Sequence, residues 1–446
     1  MGIKKPRSEV ARDSISTLST NVIGAILAAL SSLILTSCLA PEQKGLITMT
    51  QLSGTTLVTL FSLSVNSAII FYTSRHQTRH VRRALTRISL VLTGFILIAG
   101  LFCAVFLRNF MYKNLPAMFI GLSILYAVFS FVSSVFLSIL RGENRFSSYN
   151  IIILIQRILT IIFSLAIIFW RYPVIMVLAN LLIMLVMIAL SIFVMVRVRY
   201  ETPLPPEDDV DIPASKMVKY SLKSHASNVM SYVNSIISTY ILNGLSPDTS
   251  NAGIYSFAYT LIEQLWLLPN AVSMVIMSRI AAMKVNEDKV RLTVMSCKIV
   301  TYITMLCAVL MLIAVQFLVP IFFPKYVLSI TPMKILVVGS ILITYAKVLA
   351  NSIAAYGRPE LNVISTAVGV VVNIIMGIIL IPRFGINGTA MTTSLSLTVQ
   401  GAASIIIFCK YTKTPIHTLL FPTKHEISLL VQMFRHKGKG KDVNPE

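Results

Sequence analysis

The sequence predicts an all-α integral membrane protein, with twelve transmembrane helices forming two pseudo-symmetric six-helix lobes around a central cavity. Three observations predict it. Of 446 residues, 56% are hydrophobic and only 12% charged, against roughly 25% charged in soluble chains. The apolar residues fall in runs of about 20 separated by short polar joints, the length at which a helix rising 1.5 Å per residue crosses about 30 Å of hydrocarbon. Several positions also recur in order between the two halves of the chain.

The spans are expected at 15–37, 46–72, 88–107, 116–140, 149–169 and 174–196, then at 221–243, 253–278, 299–319, 330–354, 361–381 and 388–409. Membrane β-strands would alternate over shorter segments of about ten residues, so a barrel does not compete. The joint 197-RVRYETPLPPEDDVDIPASK-216, with four prolines and a cluster of acids, divides the spans six and six and reads as a linker. The expected organisation is an N-terminal lobe over 1–196, a cytoplasmic linker over 197–220, a C-terminal lobe over 221–409 and a basic cytoplasmic tail over 410–446.

The net charge of +21 raises nucleic acid as a partner, but its distribution excludes that reading, because Lys and Arg alternate by joint. The amino terminus, the even-numbered joints and the tail hold 29 of the 38. The odd-numbered joints hold seven: Lys44, Arg108, Lys113, Arg171, Lys325, Lys334 and Arg383. By the positive-inside rule both termini are cytoplasmic, as an even span count requires. The remaining two, Arg157 and Lys347, lie inside spans.

The repeat is read from matched positions. Asn21-Val22 matches Asn228-Val229, 39-LAPE-42 matches 245-LSPD-248, and Gly45 matches Gly253. Asn66 and Arg75 match Asn270 and Arg279 with the same internal spacing, and the Gly142 joint matches the Gly357 joint, each with an Arg/Glu pair. Halves with an even number of spans share orientation, so an axis along the membrane normal relates them and alternating access follows as an expectation.

Spans one and seven are hydrophilic for membrane helices. Span seven carries Ser221, Ser224, His225, Ser227, Asn228, Ser231, Asn234, Ser235, Ser238 and Thr239. Such residues either pack helices closely or line a hydrated cavity, and polarity nearly all round span seven favours the cavity. Glu263 and Arg157 both fall near the midplane, with Lys347 nearer the cytoplasm. An ionised group there costs about 2.5–3.5 kcal/mol, so each should pair or face water. Glu263 either pairs with Arg157, is held neutral, lies near a span end placed elsewhere than expected, or takes part in transport.

Catalytic constellations are missing. His76 and His80 have i, i+4 spacing but sit among Arg75, Arg79, Arg82 and Arg83, a solvated basic loop rather than a metal site. No phosphate-binding GxxxxGK[ST] loop occurs, and the five cysteines show no metal-like spacing. No enzyme activity, cofactor or metal is expected. The tail 424-KHEISLLVQMFRHKGKGK-441 alternates apolar and basic residues, suited to an anionic leaflet or simply to topology control.

Two passages carry a family likeness. The stretch 245-LSPDTSNAGIYSFAYTLIEQLWLLPNAVSMVIMSRIA-281 resembles the G-x-Y-S-x-A, L-W-L-x-P-N-A, x-R-I passage that opens the second half of Wzx-type O-antigen flippases. These are lipid-linked oligosaccharide transporters of the multidrug/oligosaccharidyl-lipid/polysaccharide exporter superfamily. The stretch 380-LIPRFGINGTAMTTSLS-396 is similar to the family's I-P-x-x-G-x-x-G-A-A-x-A-T passage, with Ser278 and Thr389 standing where the family usually has Pro and Ala.

The resemblance implies a flippase that moves an undecaprenyl-pyrophosphate-linked sugar repeat across a bacterial inner membrane, with a cationic cavity and, in several members, ion coupling. Membrane lipids, a polysaccharide polymerase and chain-length proteins are the implied partners. The family offers no site motif to transfer, so the candidate residues rest on burial and charge. Arg157 and Lys347 supply positive charge, Asn228 and Asn270 face the sugars, Arg75 and Arg279 attract the head group at the cytoplasmic mouth, and Glu263 serves coupling. A multidrug exporter of the same superfamily, or a membrane glycan ligase or polymerase, is the alternative.

Overall fold

The computed structural model describes residues 7–75, 79–201, 213–283, 285–356, 358 and 360–421. Most of the linker, all of the tail beyond Phe421 and the side chains of Arg75, His80 and Arg279 lie outside the described residues, as does His76. Among the described residues the chain is helical from end to end, without strands. The first half runs α1 (Arg7–Cys38), α2 (Pro41–Phe61), α3 (Val65–Arg75), α4 (Arg79–Phe106), the short α5 (Arg108–Met111), α6 (Ala117–Gly142), α7 (Phe146–Trp170) and α8 (Pro173–Glu201). The second runs α9 (Ala214–Leu245), α10 (Ser250–Gln264), α11 (Leu267–Ala282), α12 (Asn286–Phe322), a 3₁₀ turn (Pro324–Ser329), α13 (Ile330–Ala355), α14 (Glu360–Thr412) and α15 (Ile416–Leu420).

Eight of the described helices are long and apolar enough to cross a membrane, or up to nine if the bent pair α2–α3 is one span. Three further crossings complete twelve: the polar α9, the broken pair α10–α11, and the second arm of α14. That long helix is a hairpin turned at Gly385, whose φ of 54° and ψ of −124° lie outside the helical region and suit glycine. Its arms run antiparallel, since Ser396 Oγ donates to Gly369 O at 2.8 Å and Gln400 Nε2 to Thr366 Oγ1 at 3.3 Å. The outward faces of α4 and α12 carry exposed Val91, Ile98, Phe102, Leu306, Leu310 and Phe317. Apolar faces of that extent fit hydrocarbon, not water. The chain is a multi-pass membrane protein.

Two spans expected to be continuous are broken. The segment 46–72 divides into α2 and α3, bent by 59°, through Leu63 and Ser64 at φ 49° and 52°, a left-handed conformation uncommon outside glycine. The segment 253–278 divides at Leu265 and Trp266. The cause is Pro269, which has no N–H to donate to Leu265 O and whose ring crowds that carbonyl. The breaks are repeat mates, because they precede Asn66 and Asn270 by a few residues each. Helix ends differ too: α12 starts at Asn286, well before 299, because Glu287 and Asp288 in its first turn favour a helix N-terminus that hydropathy does not see.

The two halves cross most closely at the end of the bundle opposite the termini, through repeat-related residues; they touch again at the other end, where Phe71 stacks on Tyr220 with centroids 4.3 Å apart and Tyr72 OH donates to Lys216 O at 3.4 Å. A Cβ on Gly45 would lie 1.9 Å from Thr249 O, and one on Gly253 would lie 2.0 Å from Pro41 O and 2.9 Å from Gly45 N. Here only glycine lets α2 and α10 cross. Thr48 Oγ1 donates to Ser256 Oγ at 3.2 Å, and Thr249 Oγ1 to Glu42 O at 2.8 Å. Two clasps flank the crossing. Asn114 Nδ2 reaches Asn243 O, Ser246 O and Asp248 O at 3.1, 2.9 and 3.3 Å, Asn243 Nδ2 donates to Lys113 O at 2.7 Å, and Lys113 Nζ donates to Gly244 O. The equivalent clasp on the other side is one bond, from Tyr326 OH to Leu39 O at 3.2 Å.

Candidate functional site

The sequence places an acid in the second span of the C-terminal half, and the structure places it at the break in that span. Glu263 is the penultimate residue of α10, and its carbonyl accepts the Trp266 N–H at 3.0 Å across the break. The residue keeps more than a third of its surface accessible although protein surrounds its carboxylate on most sides. The group that faces it is Lys347 of α13, its electrostatic neighbour. The two do not form an ion pair. Lys347 Nζ instead stands 4.5 Å over the Trp266 ring, a cation–π contact worth about 0.5–2 kcal/mol.

Aromatic and polar groups fix that cluster. Tyr259 packs edge-on against Trp266 with ring centroids 5.8 Å apart and lies near Tyr255, which shares a 2.8 Å hydrogen bond with Thr393 Oγ1. The backbone carbonyl of Lys347 accepts Ser273 Oγ at 2.6 Å, and Asn351 Nδ2 donates to the same hydroxyl at 2.8 Å. The break therefore assembles an acid, an amine and an indole from α10, α13 and the turn between α10 and α11. Trp266 Nε1 is buried with no acceptor.

Arg157 lies elsewhere, on α7 in the N-terminal half. A Cβ on Gly24 of α1 would stand 3.6 Å from its Cγ and Nε, in ordinary van der Waals contact, so α1 runs beside the Arg157 side chain. Tyr126 and Tyr149 are its electrostatic neighbours, and its buried Nε has no acceptor. The Glu263–Arg157 pair, one of the alternatives the sequence leaves open, is not formed. Matching depth is one coordinate of three; the direction in which each helix presents its side chain separates the two.

Span seven has two characters. Asn234 on α9 binds α14: its Nδ2 donates to Gln400 Oε1 at 3.1 Å, and its Oδ1 accepts Ser396 Oγ at 2.8 Å and Asn373 Nδ2 at 3.0 Å. This face is helix packing, which corrects the expectation that the whole circumference lines a cavity. Tyr232 and Tyr240 reach Thr56 Oγ1 of α2 at 3.1 and 2.9 Å. Asn228, Ser231 and Ser235 form an exposed polar stripe. Asn228 Nδ2 donates to Ser64 Oγ at 3.0 Å, and Ser64 meets His225 Nδ1 at 3.3 Å, so α9 touches the other broken span at its break. Asn270 is exposed on α11. The backbones of Arg75 and Arg279 end α3 and continue α11.

One cation was assigned to a polar joint and is buried instead. Lys44 lies inside α2 at 6% exposure. Its Nζ donates to Ser32 Oγ at 3.4 Å and to Thr36 Oγ1, and stands 4.8 Å from the Phe257 ring centroid. Its place next to Gly45, a matched repeat position, is the sequence signal that it belongs to the contact between halves.

Residues 10–283, more than half of the chain, match the sequence family described as polysaccharide biosynthesis protein. An uncharacterized membrane protein of Methanocaldococcus jannaschii is 36% identical over 73 residues, a stretch covering 16% of this chain and 14% of that relative. Among solved structures, the lipid II flippase MurJ in an inward closed conformation superposes with a TM-score of 0.68 at 16% identity, over 97% of this chain and 94% of that one. An inward-facing multidrug resistance MATE family transporter of the MOP superfamily gives 0.66 at 16% identity, over 89% and 95%. A MOP superfamily transporter from Pyrococcus furiosus gives 0.61 at 17% identity, over 92% and 96%. These likenesses establish the fold of twelve helices in two lobes.

Proposed function

For a chain that belongs to the polysaccharide biosynthesis protein family, we propose a flippase that carries an undecaprenyl-pyrophosphate-linked oligosaccharide across a bacterial inner membrane by alternating access. The observation that carries this reading is the charge withdrawn into the bundle: among the described residues, Lys44, Arg157 and Lys347 accompany one midplane acid, Glu263. Such a surplus of cations suits an anionic cargo. A pyrophosphate bearing sugars cannot enter hydrocarbon, because its charges and hydroxyls would lose water without replacement. Guanidinium, ammonium and indole donors replace that hydration with charge-assisted hydrogen bonds, and Arg157 Nε and Trp266 Nε1 are buried donors without acceptors.

In this reading the lobes are 1–196 and 221–409, joined by a cytoplasmic linker over 197–220, with both termini and the basic tail over 410–446 in the cytoplasm. Arg75 and Arg279 gather the head group at the cytoplasmic mouth; Asn228 and Asn270 face the sugars. Glu263 couples transport to an ion, with Lys347 as its electrostatic neighbour. Polysaccharide polymerase and chain-length proteins receive the product. No catalytic step is assigned, because the chemistry required is replacement of hydration rather than bond making.

A multidrug exporter shares the fold, but a cationic drug calls for an anionic cavity. Deleting the gene tests the reading. Lost surface glycan with lipid-linked intermediate retained on the inner leaflet supports a flippase. Drug sensitivity with normal glycan would overturn it, as would outward-facing glycan left unpolymerised or unattached, the mark of an enzyme.

A further inference from the structure

Lys44 occupies a compartment built by both lobes. Its two hydroxyl acceptors, Ser32 and Thr36, come from α1 of the first lobe. The two rings near its ammonium, Phe257 at 4.8 Å and Tyr326 at 5.6 Å, come from α10 and the 3₁₀ turn of the second. Among the described residues no carboxylate pairs with it, and the neighbouring Glu42 is exposed. The compartment adjoins the Gly45–Gly253 crossing, so it exists only while that end of the bundle is shut.

Burying an ammonium without a counter-charge is among the costliest things a membrane helix can do. Ring faces and hydroxyls offset part of that, but a methionine would fill the same space without the desolvation. The charge is therefore useful in the other arrangement of the lobes. When the glycines part, Phe257 and Tyr326 leave with the second lobe, while Lys44, Ser32 and Thr36 stay together on the first. An ammonium flanked by two hydroxyls and newly open to water is a phosphate-binding group.

We propose that Lys44 is a further anion-binding residue, stored inside the closed end of the bundle and presented to a phosphate when Gly45 and Gly253 separate. It deepens the flippase reading, on which the identity of its natural anion rests: the pyrophosphate would pass from the midplane cations to Lys44 on its way out. Because only the open state offers the site, an anion bound there holds the gate open by its differential affinity.

The test uses the full chain with its native cysteines replaced, carrying Thr48→Cys and Ser256→Cys and a protease site between residues 202 and 212. Oxidative cross-linking of the pair reports gate closure, and cleavage separates the halves unless they are linked. With inorganic pyrophosphate as the probe in detergent, cross-linking is expected to slow about threefold or more with Lys44 or Lys44→Arg, and to be unaffected in Lys44→Met. Equal slowing in Lys44→Met, or none with Lys44 present, overturns the proposal. So does slower cross-linking of Lys44→Met without any anion, which would make Lys44 a latch that merely holds the gate shut. Repeating the measurement in vesicles containing phosphatidic acid, without pyrophosphate, separates a lipid phosphate from a soluble one as the ligand. None of these arms measures export, so a normal glycan in the deletion strain would defeat the flippase reading while leaving this result to stand or fall alone.

Discussion

Gly45 and Gly253, equivalent positions of the repeat, pack against each other where the two halves meet, with the Cβ site of Gly253 2.9 Å from Gly45 N. A methyl at either glycine also meets a backbone carbonyl, Thr249 O or Pro41 O, at 1.9 or 2.0 Å, far inside van der Waals contact. The helices must then separate. Gly45→Ala or Gly253→Ala should disfavour the closed end by about 1–3 kcal/mol and lower export about tenfold. Gly94→Ala, with nothing near its Cβ site, should leave export unchanged. Surface glycan and Thr48–Ser256 cross-linking measure both effects.

Glu263 and Lys347 should respond differently to substitution. Lys347→Met removes the contact with Trp266, so the purified protein should lose about 0.5–2 kcal/mol of stability and export should fall. Glu263→Gln keeps the shape and hydrogen bonding of the side chain, whereas Glu263→Ala does not. Transport lost in both variants marks a charge or proton at Glu263 as the requirement, and transport kept in Gln alone assigns it to hydrogen bonding. Glycan export at matched expression reads the difference.

Reversing the charge at Arg157 should abolish export without unfolding the protein. Arg157→Glu places a shorter side chain where, among the described residues, the guanidinium has no acidic partner to lose. Arg157→Lys keeps the charge but not the planar fork, so partial export is the expected outcome. Normal surface glycan in the Glu variant would remove Arg157 from the transport path.

Asn234 should matter for stability rather than transport. Asn234→Ala leaves Asn373, Gln400 and Ser396 without a shared partner, at about 1–3 kcal/mol, and should lower the unfolding temperature in detergent. Ser235→Ala, on the exposed stripe of the same helix, should not.

The twelve crossings were legible because hydrocarbon imposes its thickness on the sequence as runs of about 20 apolar residues. Tertiary relationships left weaker traces. Pro269 marks the break beside Glu263, but averaging over a span hides one proline, and Leu63 and Ser64 give no turn signal at all. The polar circumference of span seven could not be divided by sequence, because its division depends on Asn373 and Ser396 arriving from α14. Lys44 was misplaced for the same reason. Its burial is supplied by Phe257 and Tyr326, more than 200 residues away.

The clasps at the shut end are unequal. On one flank, Lys113 and Asn114 grip the end of α9 through several hydrogen bonds; on the other, among the described residues, Tyr326 holds Leu39, just past the end of α1, by one. A seam with one stitch tears before a seam with many. The halves would then swing like a door hung on the α9 side rather than draw apart as parallel jaws, and the slit would open first beside α1. A cargo with a long hydrocarbon tail needs such a lateral slit, since its head can turn through the protein while the tail stays among the lipids.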